Sequence, residues 1–132
     1  MRKQLAAPHL GAERVLALFA NKWAIRVIHR LAASSERPSQ LRRLLKPISQ
    51  KVLTQTLRNL ERSGFVQREL VRVKPLNVRY SLTPLGRTFV RPLNELCEWA
   101  LRHGPELNEV DRRRTNGAKR QRSLAVHQGT PH

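Results

Sequence analysis

Residues Ile48 to Gly86 read ISQKVLTQTLRNLERSGFVQRELVRVKPLNVRYSLTPLG, and this stretch decides the fold of the 132-residue chain. Ser49 can accept hydrogen bonds from the free N–H groups at the start of a helix, and the apolar residues after it recur at the spacing of one helical face. Gly64 then offers the residue type that best tolerates the positive φ of a helix C-cap. Two runs rich in β-forming residues follow, over 65–73 and 78–82. A helix, a glycine stop and a hairpin in this order are typical of a winged helix-turn-helix.

Three helices are predicted before this stretch. The first covers about residues 10–20, and the second begins at Lys22. Ser39 can cap a short third helix over residues 40–46, which Pro47 ends because proline keeps its predecessor out of helical angles. The short connection to the next helix is the one that a helix-turn-helix requires.

A long helix is predicted after the hairpin, with Thr83 as its cap and Pro84 in its first turn. It continues to about His103. Pro92 lies inside it and predicts a kink or a break, because proline lacks a backbone N–H and its ring crowds the preceding turn. The predicted fold class is therefore mainly α with a small β-hairpin wing, a winged helix-turn-helix.

The composition of the chain changes after Gly104. The remaining residues have few apolar side chains and no sustained periodicity, and they include the basic runs 112–114 and 119–122. A segment of this kind buries too little apolar surface to become ordered. The predicted organisation is a winged helix-turn-helix domain over residues 1–103, followed by a basic, disordered tail over residues 104–132.

The chain is strongly basic, with 26 Lys and Arg residues against nine Asp and Glu residues and a formal net charge of +17. Between Arg37 and Arg79 there are 11 Lys and Arg residues and only two acidic ones. The excess is thus concentrated on the predicted helix-and-hairpin unit. Such a charge repels itself, and a polyanionic partner is its natural explanation.

Several other classes of protein are excluded or disfavoured. A single cysteine excludes an intrachain disulfide and a zinc site with several thiolates, and no apolar run approaches the roughly 18 residues of a membrane span. No phosphate-binding loop, metal-ligand cluster or nucleophile motif indicates an enzyme, so no catalytic residue, cofactor or metal is predicted. RNA binding is disfavoured because few aromatic residues are available to stack on bases. A cytoplasmic, nucleoid-associated protein is the expected setting.

The predicted recognition helix, about residues 49–63, has an apolar and a polar face on a helical wheel. Its polar side chains are of the types that read base edges, since Gln pairs with adenine, Arg with guanine and Thr with several partners. A helix of this width fits the major groove of duplex DNA, and its first residues could also meet a phosphate through free N–H groups. The predicted contacts of this helix are Ser49, Gln50, Lys51, Thr54, Gln55, Arg58 and Arg62.

The predicted wing, about residues 66–82, carries the cations Arg72, Lys74 and Arg79. A wing of this kind lies along the phosphate backbone or places an arginine in the minor groove. Further candidates for contacts with the DNA backbone are Arg37, Arg42 and Arg43, at the third helix.

Several pieces of the sequence match a known family. They are Lys22-Trp23, residues 48–54 (ISQKVLT), residues 57–66 (LRNLERSGFV), residues 80–86 (YSLTPLG) and Trp99. In these pieces, which span about residues 10–103, the chain resembles the HxlR-type family of bacterial winged helix-turn-helix regulators, relatives of the MarR type. The resemblance implies a homodimeric transcription factor on double-stranded DNA, with the terminal helices forming the dimer interface. It also implies an unidentified small-molecule effector, bound between those terminal helices and the reading unit, which consists of the recognition helix and the wing.

Three positions depart from the usual pattern of that family. Leu10 stands where many members carry a cysteine, used in some as a sensor of oxidants or electrophiles. Pro38-Ser39-Gln40-Leu41 replaces a Phe-x-Glu-Leu sequence, and Val78-Arg79-Tyr80 replaces Val-Glu-Tyr. The last two changes each remove a carboxylate, so binding is expected to depend less on DNA sequence than is usual. A nonspecific architectural DNA-binding protein is accordingly the alternative function.

Overall fold

The computed structural model of the chain describes residues 8–127. These residues form six helices and one two-stranded antiparallel sheet, so the predicted fold class is confirmed. They also divide into two compact units, one up to Leu93 and one from Asn94 onwards. In chain order the elements are α1 (Pro8–Leu18), α2 (Lys22–Ala33), α3 (Pro38–Leu44), α4 (Gln50–Arg62), β1 (Val66–Arg72), β2 (Asn77–Leu82), α5 (Pro84–Arg102) and α6 (Gly104–His127).

Helix α4 is delimited by the residues that its sequence predicts. The Ser49 hydroxyl accepts a hydrogen bond of 3.2 Å from the Val52 N–H, which satisfies one of the free donors at the start of the helix. Gly64 has a φ of 81°, in the left-handed region that favours glycine. The buried face of the helix consists of Leu53, Thr56, Leu57 and Leu60.

The core of the first unit lies between α2, α3, α4 and the base of the hairpin. Its buried apolar residues are Ala24, Val27, Ile28, Leu31, Leu41, Leu45, Ile48, Leu53, Leu57, Leu60, Phe65, Val66, Leu82 and Leu93. Phe19, Phe65 and Phe89 form an aromatic cluster with ring centroids 4.7 to 5.7 Å apart. Because this packing fixes the apolar face of α4 inward, the polar face of the helix is turned to solvent.

The hairpin is anchored at its base and exposed over most of its length. Val66 pairs with Leu82 at the base, and both side chains are buried. Tyr80 of β2 also exchanges two backbone hydrogen bonds, of 2.8 and 3.0 Å, with Glu36 in the segment before α3. The strands beyond this bridge form a projecting wing.

The start of α5 packs tightly against the hairpin base. The Thr83 hydroxyl accepts a 3.0 Å hydrogen bond from the Gly86 N–H, so the predicted cap is confirmed. A Cβ atom placed on Gly86 would lie only 2.1 Å from the carbonyl oxygen of Phe65. Glycine is therefore required here by close approach of two backbone segments rather than by its φ.

One detail of the predicted helices is wrong, and a second is narrowed by the structure. Helix α3 begins at Pro38 with Arg37 at the N-cap, so Ser39 lies inside the first turn and does not cap the helix. Proline is favoured at the first helical position because the N–H it lacks would be unpaired there anyway. Of the kink or break predicted at Pro92, the break is absent, because helix α5 continues through Pro92 to Arg102; the kink stays a prediction. Burial of the adjacent Leu93 side chain offsets the single backbone hydrogen bond that proline removes.

Of the disordered tail predicted over residues 104–132, Gly104–His127 forms helix α6 instead, and residues 128–132 lie outside the described residues. This helix has no buried apolar stripe, and every described side chain from 105 to 126 is exposed. Its residues are nevertheless mostly good helix formers. Glu109 also lies one turn before Arg112 and Arg113, at 4.0 and 3.4 Å, a spacing that supports a helix.

Candidate nucleic-acid interface

The polar face of α4 presents a row of side chains to solvent. Lys51, Gln55 and Arg58 are exposed, as the helical wheel predicts. Thr54 is half-buried, and its hydroxyl accepts a 3.3 Å hydrogen bond from the Gln50 side-chain amide. Within the described part of the chain, the Arg58 guanidinium has no hydrogen-bond or ion-pair partner, so its five donors remain available to a ligand.

The two ends of α4 are less free than its middle. The Ser49 hydroxyl already accepts from the Val52 N–H, so it acts as a helix cap. The Arg62 guanidinium donates to the Asn59 side-chain oxygen and to the Arg58 carbonyl, which holds it along the last turn. Any contact that Ser49 or Arg62 makes with DNA would have to exchange or share these bonds.

A basic groove lies between α3 and the start of α4. It has a volume of about 610 Å³, and no acidic residue lines it. Its polar lining places the predicted contacts Arg42, Arg43 and Gln50 together and adds Lys46. Lys46 was not predicted as a contact. It immediately precedes Pro47 in the turn between the two helices, and this position places it in the same groove as the first residue of α4, Gln50.

A second hollow of about 420 Å³ lies between the start of α3 and the wing. Arg37 and Arg68 are its cationic lining residues, and Tyr80 and Asn77 also line it. Arg68 was not predicted as a contact. The alternation of strand side chains is the signal that identifies it, because Arg68 pairs with Tyr80 in register and shares its face of the hairpin.

The predicted wing cations do not form one cluster. Arg72 and Lys74 are exposed near the tip, whereas Arg79 is half-buried and lies directly across the strands from Glu69. Opposite charges at directly paired positions attract each other. The exposed apolar side chains of the wing are Leu70, Val71, Val73 and Leu76.

The part of the chain that the structure describes offers no cluster of metal ligands. Residues 8–127 contain no group of three or more His, Cys, Asp or Glu side chains that could hold a metal ion. Among the same residues, no helix is both long enough and apolar enough to cross a membrane. The exposed polar row of α4, the basic groove and the cationic wing are the features that remain.

A two-helix turn, an outward polar recognition helix and a cationic β-hairpin define a DNA-binding transcriptional regulator of the winged helix-turn-helix class. The chain belongs to the HxlR-like helix-turn-helix family, whose sequence model matches residues 18–108. The resemblance inferred from the sequence pieces is thereby confirmed. Its relatives and structural neighbours are transcriptional regulators, and the protein is accordingly not an enzyme.

Individual relatives support the same assignment. The chain is 40% identical over 89 residues to YkvN of Bacillus subtilis (strain 168), an uncharacterized HTH-type transcriptional regulator, with coverage of 67% of this chain and 75% of YkvN. It is 34% identical over 115 residues to YtfH of Escherichia coli (strain K12), another such regulator, with coverage of 83% and 91%.

Solved structures show the same fold. A protein from Enterococcus faecalis V583, assigned to the MarR family of transcriptional regulators, superposes with a TM-score of 0.71 at 28% identity, over 83% of this chain and 99% of that one. The redox regulator HypR in its reduced form gives a TM-score of 0.69 at 31% identity, over 75% and 98% of the two chains.

Proposed function

We propose that this regulator is a homodimer that recognises a specific sequence in duplex DNA, with α4 in the major groove and the hairpin on the phosphate backbone or in the minor groove. The observation that carries the proposal is the exposed row of Lys51, Gln55 and Arg58 beside the basic groove. Amide and guanidinium groups of this kind distinguish base pairs by bidentate hydrogen bonds. The core side of α4 is buried, so only this row is available to read DNA.

Backbone contacts would fix the register of α4 on the duplex. Arg42, Arg43 and Lys46 surround the start of the helix, where free backbone N–H groups also favour an anion. A phosphate held in the groove would set the depth and angle at which α4 enters the major groove. Arg72 and Lys74 would contact a second stretch of backbone through the wing.

Homodimerisation is supported by apolar side chains that remain exposed in each unit. In the first unit, Leu10 and Leu16 of α1 are exposed over 60% and 63% of their surface. In the second unit, Leu96, Trp99 and Leu101 of α5 are exposed as well. Burying apolar side chains of this size in an interface is more favourable than leaving them exposed to water. A dimer would also present two reading helices about 34 Å apart, in successive major grooves.

The alternative function is a nonspecific architectural DNA-binding protein. The net charge of +17 favours it, since phosphate contacts supply affinity without regard to sequence. The exposed Gln55 and Arg58 favour sequence reading instead. In either case the protein is expected in the cytoplasm with the nucleoid, and an effector that modulates binding is expected from the family.

The two functions are distinguished by measuring the affinity for random duplex DNA and for the promoter region beside the protein's own gene, at one salt concentration. Specific regulators bind their sites roughly 10³–10⁷-fold more tightly than random DNA. Equal affinities would favour the architectural function. The particle mass, measured at micromolar protein with and without DNA, is expected to be that of a dimer, and a strictly monomeric mass would contradict the proposed assembly.

A further inference from the structure

The middle of α6 carries a dense positive charge that no packing explains. From residue 112 to residue 122 the chain has six cations and no acidic residue. Every described side chain of α6 from 105 to 126 is exposed, so none of these cations contributes its stem to a core. The six cations are Arg112, Arg113, Arg114, Lys119, Arg120 and Arg122.

Four of these cations lie on one side of the helix. Residues seven apart return to nearly the same direction in an α-helix, and Arg112 with Lys119 forms one such pair and Arg113 with Arg120 the next. The resulting basic stripe (Arg112, Arg113, Lys119 and Arg120) extends about 12 Å along the helix at 1.5 Å per residue. Over that length duplex DNA presents about seven phosphate charges. The four cations of the stripe are thus fewer than the phosphate charges of that length of duplex.

Little of this charge is compensated within the helix. Asp111 precedes Arg112 and lines a surface hollow with Arg112 and Lys119, and Glu109 is shared between Arg112 and Arg113 at 4.0 and 3.4 Å. Both contacts are exposed to solvent, where ion pairs contribute little. Among residues 8–127, no carboxylate pairs with Lys119 or Arg120.

We propose that the basic stripe of α6 is a second, sequence-independent DNA-binding surface that grips the phosphate backbone separately from α4 and the wing. The inference rests on the proposed function in taking duplex DNA as the partner. The family match ends at residue 108, before the first residue of the stripe. The stripe therefore lies outside the part of the chain that the family model covers, and it adds affinity without adding sequence information.

Duplex DNA fits this surface better than other polyanions. Residues 104–127 contain no Phe, Tyr or Trp, so α6 offers no platform on which unpaired RNA bases could stack. A helix that lies on an anionic membrane needs a continuous apolar face. Between residues 112 and 122, Ala118 is the only apolar side chain.

The test uses the full-length protein and a variant in which the stripe loses its charge, with the substitutions Arg112→Gln, Arg113→Gln, Lys119→Gln and Arg120→Gln. The matched control loses the same four charges at exposed positions outside the stripe and the reading unit, through Arg14→Gln, Arg30→Gln, Arg87→Gln and Arg102→Gln. Affinity for a random 30-base-pair DNA duplex is measured by fluorescence anisotropy over a series of salt concentrations. Far-UV circular dichroism verifies that α6 persists, as expected because Gln is a good helix former.

The stripe variant is expected to bind random duplex at least about tenfold more weakly near 0.1 M salt, with a salt slope lower by about three to four. The control variant is expected to stay much closer to the native protein. Equal losses in both variants would overturn the proposal, as would a stripe variant that binds like the native protein. A loss confined to an RNA duplex or to anionic phosphatidylserine vesicles would also overturn it.

Two further comparisons complete the test. A variant that keeps the charge, with Arg112→Lys, Arg113→Lys and Arg120→Lys, is expected to retain affinity, because backbone contacts need charge rather than guanidinium geometry. A loss in this folded variant would contradict the proposal. A native protein that shows no sequence preference, while its stripe variant still loses affinity, would refute the proposed function and leave the stripe proposal standing.

Discussion

Arg58 and Arg62 lie one turn apart on α4, yet their surroundings differ. Arg62 is held by the Asn59 side chain and the Arg58 carbonyl, whereas the Arg58 side chain extends into solvent. An arginine without internal partners can place its planar fork against a guanine edge without first breaking other bonds. At the scale of single residues, Arg58 is therefore the side chain expected to contribute most to base reading.

Arg58→Ala is expected to weaken binding to the specific site by about 1–3 kcal/mol and to relax selectivity at one base pair. Lys74→Ala, in the wing, is expected to weaken all duplexes similarly and to lower the salt slope by about one. Titrations of operator and random duplex at several salt concentrations separate these effects. Losses of equal size on every sequence for both variants would show that Arg58 contacts only phosphate.

Gly86→Ala is expected to destabilise the fold, because the added methyl group would lie 2.1 Å from the Phe65 carbonyl oxygen. Overpacking of this kind costs about 1–3 kcal/mol or more. Gly11→Ala in α1 is the matched control, since a Cβ there meets nothing within 4 Å. Urea unfolding of both variants measures the free energy of unfolding. If Gly86→Ala were as stable as the native protein, the backbone of α5 would have to lie farther from the Phe65 carbonyl, with room for a methyl group.

Oxidants are not expected to control DNA binding through the cysteine position that some family members use, because Leu10 occupies it. An alkyl side chain has no thiolate chemistry. The only cysteine is Cys97, which is partly buried in α5, and it is expected to react slowly. Operator binding before and after peroxide or diamide, in the native protein and in Cys97→Ser, measures this. A large loss in the native protein that disappears in the variant would make Cys97 the switch.

At the scale of elements, the parts with strong local signals were predicted well. Ser49, Gly64 and Thr83 act where the sequence places them, since caps and positive φ depend on a few neighbouring atoms. The cap of α3 was misjudged because Ser39 and Pro38 both carry start signals, and proline at the first position prevailed. The groove that brings Lys46 to Arg42 depends on the angle between two helices, which no local pattern encodes.

The helical state of α6 was not predicted, because it leaves no apolar pattern in the sequence. Apolar periodicity identifies helices that pack against a core, and α6 has exposed side chains throughout its described length from 105 to 126. Its helical state rests on residue propensity and on pairs such as Glu109 with Arg113. Helix propensity is a weak signal by itself, so the sequence predicted a disordered tail.

Ending the chain at Gly104 is expected to leave the winged helix-turn-helix folded, because the removed helix contributes no buried side chain among its described residues. Binding to nonspecific DNA is expected to weaken, since six cations are lost between 112 and 122. Thermal unfolding followed by circular dichroism measures the first effect. Loss of a cooperative transition in the shortened protein would show that α6 stabilises the rest of the chain.

For the molecule as a whole, the positive charge and the exposed apolar side chains meet two different requirements of DNA recognition. A net charge of +17 favours contact with any duplex, whereas sequence selection requires two reading helices at a fixed separation. Exposed Leu10 and Leu16 in α1 support the dimer that would set this separation. The basic composition was enough to predict a polyanionic partner. The proposed homodimer depends instead on which apolar side chains remain exposed after folding, and the sequence alone does not give this.

Selection of binding sites from a pool of random duplex DNA, followed by sequencing of the retained fraction, tests the central claim of sequence-specific dimeric recognition most directly. The predicted result is enrichment of an inverted repeat whose half-sites lie about 10 base pairs apart, centre to centre, as two α4 helices in successive major grooves require. Enrichment should be strongest at the base pairs that Gln55 and Arg58 would face. A retained fraction without enriched sequence, or with a single half-site and no symmetry, would contradict this account.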